Sequence, residues 1–225
     1  MTIDLSRIDR DGAVREAQDA LLSRGQLLGG ALAAVVAGLA IPGAASAQVD
    51  KRDASVLTYL LSLEYLQDAF YTEAERLGAL RGDVSAATQV LGRVERAHVQ
   101  AFRELLGSAA PARPRFDFQG ATEDELAFLR TALALEELGI GAYAGQATRI
   151  QSPEVLQSAM DIHTVEARQA AWLRRLLDMR PTEGSFDQPR ARRSVVGTIA
   201  SKGFIVTRSE IPKTHRRRKT PRFTG

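Results

Sequence analysis

Val94-Glu95-Arg96-Ala97-His98 sets a glutamate and a histidine three residues apart, in a segment of about 84–106 whose apolar residues recur at helical spacing. At i and i+3 the carboxylate and the imidazole leave the helix on one side. Taking about 100° per residue, Leu91, Val94, Phe102 and Leu105 fall in that same sector, so both polar groups point where a core should be. An ionised carboxylate buried without a partner costs several kcal/mol, roughly, so something has to compensate it. A metal ion does so economically if other helices bring matching ligands.

Three other segments each carry one glutamate on an apolar face. Glu64 lies with Leu57, Leu60, Leu61 and Tyr71, Glu136 with Leu129, Leu133, Ile140 and Tyr143, and Glu166 with Ala159, Ile162, Ala170, Leu173 and Leu177. Glu, Glu-x-x-His, Glu, Glu-x-x-His is the ligand set of carboxylate-bridged dinuclear iron or manganese sites in four-helix bundles. The last step here reads Glu166-Ala167-Arg168-Gln169, with glutamine where the pattern has histidine.

The chain of 225 residues, 44% hydrophobic and 25% charged, has room for one soluble domain plus ends. It contains no cysteine, so disulfides and thiolate metal sites are excluded. Carboxylate and imidazole donors suit iron, manganese or zinc.

Residues 1–47 are expected to be an export signal or an N-terminal anchor. Residues 27–41 are fifteen apolar residues without charge, followed by Pro42-Gly43 and by the A-x-A sequence Ala45-Ser46-Ala47. Extended to residue 47 the run reaches twenty-one, so an uncleaved membrane anchor is the alternative. Ser23-Arg24-Gly25-Gln26-Leu27-Leu28 resembles a twin-arginine export motif whose second arginine is Gly25, which leaves the general secretory route open. Charge then divides the rest. Residues 48–189 hold 15 Lys and Arg against 21 Asp and Glu, a net of −6, while residues 190–225 hold 11 against 1, a net of +10.

Within 48–189 four helices are expected. The first spans about 53–80, with Asp53 as N-cap and Gly82 as the stop, and the second starts behind Asp83 and ends near Gly107. The third starts from a Thr122/Glu125 capping box and runs to about Arg149, and Ser152-Pro153 opens the fourth, which Pro181 closes. The first and last connections are short turns, but 108–121 separates the second and third helices. Those fourteen residues reach about 46 Å when extended, and a helix of 27 residues is about 40 Å long. A short, long, short pattern therefore predicts an all-α, antiparallel four-helix bundle with one long crossover between helices 2 and 3, the ferritin-like topology.

Leu63-Glu64-Tyr65-Leu66, Glu95-Arg96-Ala97-His98-Val99, Leu135-Glu136 with Ala142-Tyr143, and Val165-Glu166-Ala167-Arg168-Gln169-Ala170-Ala171-Trp172-Leu173 resemble exported bacterial ferritin-like domain proteins, a family that also includes plant desiccation-related proteins. The likeness covers about 50–190, with Ser185-Phe186-Asp187-Gln188-Pro189 resembling the family's segment after the fourth helix. It implies a non-haem di-metal bundle outside the cytoplasm, and not a storage cage. Carried over, Glu64 and His98 serve the first metal, Glu95 and Glu166 bridge, and Glu136 with Gln169 serves the second. A neutral amide oxygen is a poorer ligand than imidazole, so the second position is expected to be weak and one metal to be held tightly. His163 lies about 9 Å along the helix from Gln169 and cannot replace it, though it can support Glu166.

The functional expectation is an exported metal-binding protein, with iron first and manganese or zinc as alternatives. If it is an enzyme, it is a ferroxidase-like di-iron oxidoreductase acting in iron oxidation or oxidative-stress protection. The rival is a non-catalytic envelope scaffold or desiccation protein that has lost its metal chemistry. Tyr71 and Tyr143 are assigned to packing first, with hydrogen bonding to the carboxylates or electron transfer as alternatives. The tail is expected to hold a weak helix over 190–206, with Val195, Val196 and Ile199 as its apolar residues, and to be partly disordered. Its run His215-Arg216-Arg217-Arg218-Lys219 suits an anionic envelope surface, and without interleaved aromatics nucleic acid is not expected as a partner.

Overall fold

The computed structural model describes residues 49–206. The expected leader and the basic run at 215–219 lie outside the described residues. Helices α1 (Lys51–Leu77), α2 (Gly82–Leu106), α3 (Glu125–Ala147) and α4 (Pro153–Leu176) form the bundle, and α5 (Arg192–Lys202) follows. Among the described residues there is no β-strand beyond a single antiparallel bridge between Phe116 and Ile205. No helix among them is long and apolar enough to cross a membrane.

Contacts across the bundle fix the direction of each helix. Glu64 meets His98 while Glu75, a few turns further along α1, meets Arg96 earlier in α2, so these two run antiparallel. Tyr71 with Glu136 and Glu64 with Tyr143 make α1 and α3 antiparallel as well. Helix α4 runs against α2 through the pairs His98–Glu166 and Glu95–Gln169, and against α3 through Glu137–Arg174. Helices α2 and α3 are therefore parallel, and the chain between them must travel the length of the bundle. This is the one-crossover topology that the loop lengths implied.

The helix ends differ in detail from the sequence reading. Asp50, not Asp53, caps α1, accepting from the Arg52 amide at 2.7 Å. Asp53 is fully buried and accepts instead from the amides of Gln151 and Ser152, both at 2.8 Å, tying the α3–α4 turn to the start of α1. Helix α1 stops at Gly78, whose φ of 60° is the left-handed conformation that glycine adopts without strain. Asp124 caps α3 through the Ala127 amide, and Thr122 points its hydroxyl at Glu73. Ser152 caps α4 with Pro153 in the first turn, as expected.

Beyond α4 the chain folds back onto the bundle. Arg190 donates its amide to the Gly141 carbonyl at 2.8 Å, and a Cβ at Gly145 would stand 2.1 Å from the Arg190 carbonyl oxygen. The two glycines thus form a groove in α3 for this strap. In α5, Val195 and Ile199 are buried and Val196 is exposed. Phe204 then packs edge-on against Phe118 of the crossover, with ring centres 5.3 Å apart, while Asp117 and Phe204 share a backbone hydrogen bond. Residues 190–206 of the basic extension are therefore part of the fold.

Candidate metal centre

Regular helix geometry brings the buried polar groups to one level of the bundle. Glu64, Gln67 and Tyr71 lie at i, i+3 and i+7 on α1, Glu95 and His98 on α2, Glu136 and Tyr143 on α3, and Glu166 and Gln169 on α4. All nine are buried. His98 stands at the centre. Its Nδ1 is 3.0 Å from Glu166 Oε1, 3.3 Å from Glu64 Oε2 and 3.5 Å from Glu95 Oε2. None of these oxygens is placed to accept a hydrogen bond from it, so all four atoms are buried without a hydrogen-bond partner. One ligand atom from each of Glu64, Glu95, His98 and Glu166 lies within 4.8 Å of the others.

The other oxygen of each carboxylate is tied down. Tyr143 donates its hydroxyl to Glu64 Oε1, and Gln169 donates its amide to Glu95 Oε1 at 2.6 Å. Gln67 donates to Glu166 Oε2 at 3.0 Å and to Glu136 Oε2 at 2.9 Å, and Tyr71 donates to Glu136 Oε1. Glu136 therefore has both oxygens engaged and stands beside the converging group. Gln169 faces Glu95 with its nitrogen, leaving its own oxygen without a partner. His163 joins neither set. Its ring packs edge-on against Tyr143 and its Nε2 is 3.7 Å from Asp187.

Electrostatics sharpen the picture. Burial pushes the carboxyls of Glu64, Glu95 and Glu136 above the ordinary glutamate range, and the neighbouring charge of Glu166 adds to this. Burial acts the same way on Glu166, but His98, Glu136 and Gln67 beside it prevail and hold it below that range. Burial disfavours a charged His98, yet Glu166, Glu64 and Glu95 outweigh it and raise the imidazole pKa well above its usual value. Burial and the adjacent carboxylates likewise raise Tyr71 and Tyr143, which keeps both hydroxyls as donors. The site is acid-rich and apolar-walled, with ligand atoms close enough together to hold a metal ion. Three carboxylate oxygens and one imidazole nitrogen are donors for iron, manganese or zinc.

The bundle topology and this constellation agree with a comparison of sequence families. The model of the ferritin-like domain matches residues 52–179, more than half of the chain. The chain belongs to the ferritin-like domain family. No curated protein matches it closely. Within this ferritin-like domain, the buried Glu and His cluster is a set of residues able to bind metal.

Two features of the centre differ from the reading of the sequence alone. Tyr71 and Tyr143, assigned to packing first, both reach carboxylates. Gln67 was not singled out at all, although Glu64-x-x-Gln67 repeats the spacing of Glu95-x-x-His98 and Glu166-x-x-Gln169. That repetition on three helices was the available signal.

Proposed function

We propose that this ferritin-like protein holds a divalent metal ion through Glu64, Glu95, His98 and Glu166, with iron as the leading assignment and manganese or zinc as alternatives. The observation that carries the reading is the convergence of four buried ligand atoms, each without a hydrogen-bond partner. Buried polar groups are nearly always paired, so four orphans facing one another point to a cation as their common partner. With iron or manganese, such a ligand set supplies redox chemistry towards oxygen or peroxide, and we assign the protein to iron oxidation or oxidative-stress protection on that basis.

The protein's own part is to hold the ligands still and keep water away. Tyr143 fixes the Glu64 carboxylate and Gln169 that of Glu95, so the free oxygens stay aimed inward. The stacked rings of Phe102 and Tyr143 help wall the site, with centres 6.2 Å apart. Export is proposed from the apolar run at 27–41 and the A-x-A sequence after it, and contact with an anionic envelope surface from the basic run at 215–219.

The test is elemental analysis of the full chain after expression with iron, manganese and zinc supplied, beside Glu64→Ala and Glu95→Ala. Both variants are expected to lose the metal and much of the stability it confers together. A scaffold without metal chemistry would instead contain none, and would tolerate or gain from replacing the inward glutamates with apolar residues.

A further inference from the structure

The carboxylate oxygens of the centre divide cleanly into two groups. Glu64 Oε2, Glu95 Oε2 and Glu166 Oε1 face His98 and have no hydrogen-bond partner. The other five each accept a hydrogen bond, Glu64 Oε1 from Tyr143, and Glu136 Oε1, Glu136 Oε2, Glu166 Oε2 and Glu95 Oε1 from Tyr71, Gln67 or Gln169. A second metal ion bridged to the first would have to take its ligands from this second group. We propose that the Gln67 amide stands in for that second ion, so that this ferritin-like site binds one divalent cation per chain. The proposal rests on the metal-binding reading above and adds the residue that sets the stoichiometry.

The geometry explains why a glutamine suits the role. Its amide nitrogen carries two protons, and one points at each of Glu136 Oε2 and Glu166 Oε2, at 2.9 and 3.0 Å. A cation joining these carboxylates would lie between the same two oxygens. Gln67 thus links the pair as a neutral group, without the ligand shell that a buried ion needs. For a metal to enter, both amide protons would lose their partners inside a core where Gln67 is 2% exposed. Gln169 reinforces the block by presenting its nitrogen to Glu95. Turning that amide over would set two oxygens against each other.

The glutamine at 169 is thus not by itself what limits the site. Restoring a histidine there leaves Gln67 in place, and the second position stays closed. Zinc, which undergoes no redox change, is the probe. Calorimetric titration and elemental analysis of the chelator-treated full chain are expected to give one zinc per chain for the wild type and one for Gln169→His. Two zinc ions are expected for Gln67→Ala/Gln169→His. They are also expected for Gln67→Glu/Gln169→His, which keeps the side-chain volume and adds a ligand. Two zinc ions in the wild type or in Gln169→His would overturn the proposal, as would one in both double variants with native helix content. No zinc in a folded wild type would overturn the metal-binding reading itself, an outcome distinct from finding two. If neither double variant folds, the wild type and Gln169→His decide the matter.

Discussion

Tyr143 shows how a single hydroxyl sets the geometry of the centre. By donating to one oxygen of Glu64 it leaves the other aimed at His98, and its own burial keeps it protonated. Tyr143→Phe removes the hydroxyl with little change of volume. Groups that orient metal ligands typically contribute about 10- to 100-fold in affinity. We therefore predict a loss of zinc affinity in that range, measured by competition with a chromophoric chelator, while the helix content stays native. The glutamates and His98 were legible in the sequence because each is a charged residue on an otherwise apolar helical face, which cannot be buried without a purpose. Gln67 was not legible in the same way. A neutral amide three residues from a glutamate carries no such penalty, and its role depends on Glu136 and Glu166, 69 and 99 residues away.

Between the elements, the clearest dependence is that of the strap on the α3 groove. A Cβ at Gly145 would meet the backbone carbonyl oxygen of Arg190 at 2.1 Å, whereas at Gly141 it would meet the side chain of Arg190, which can move. Alanine is otherwise preferred to glycine inside a helix by about 1 kcal/mol. Gly145→Ala is predicted to reverse that preference and destabilise the fold by about 1–3 kcal/mol, the range for forced overpacking. Gly197→Ala in α5, where no atom lies within 4 Å of the added Cβ, is predicted to be neutral or stabilising by up to about 1 kcal/mol. Urea denaturation of the two variants checks both signs. The helices themselves were legible from apolar periodicity, but their caps were ambiguous. Asp50 caps the end expected for Asp53, and Asp124 the end expected for Thr122, because tertiary partners claim the expected caps. Asp53 is drawn to the amides of Gln151 and Ser152, and Thr122 to Glu73.

At the scale of the molecule, the bundle is held together around a concentration of buried acid, and its stability should depend on pH accordingly. Burial raises the pKa of Glu64, Glu95 and Glu136, and the three carboxylates around His98 raise its pKa too, so the folded chain binds these protons more tightly than the unfolded chain. Stability from such groups is present at low pH and lost as pH rises, above about 4.5 for the glutamates and above about 6.5 for His98, their ordinary values. Glu166, held low, acts in the opposite direction, but its contribution is lost below that value. Chelator-treated protein is therefore predicted to have a lower urea midpoint at pH 8 than at pH 5. Stabilisation by added zinc should grow over the same interval, because metal and protons compete for the same atoms. The topology behind this arrangement was legible from connection lengths alone, since a fourteen-residue link between otherwise short turns has one economical use. The folding of 190–206 back onto the bundle was not, because its anchors, Gly141, Gly145 and Phe118, belong to distant segments. The central claim is that four side chains from three helices share one metal ion. Anomalous diffraction from crystals of the full chain grown with zinc tests this most directly. The account predicts a peak within about 2.0–2.2 Å of ligand atoms from Glu64, Glu95, His98 and Glu166, and a folded protein with no anomalous density among those four residues would contradict it.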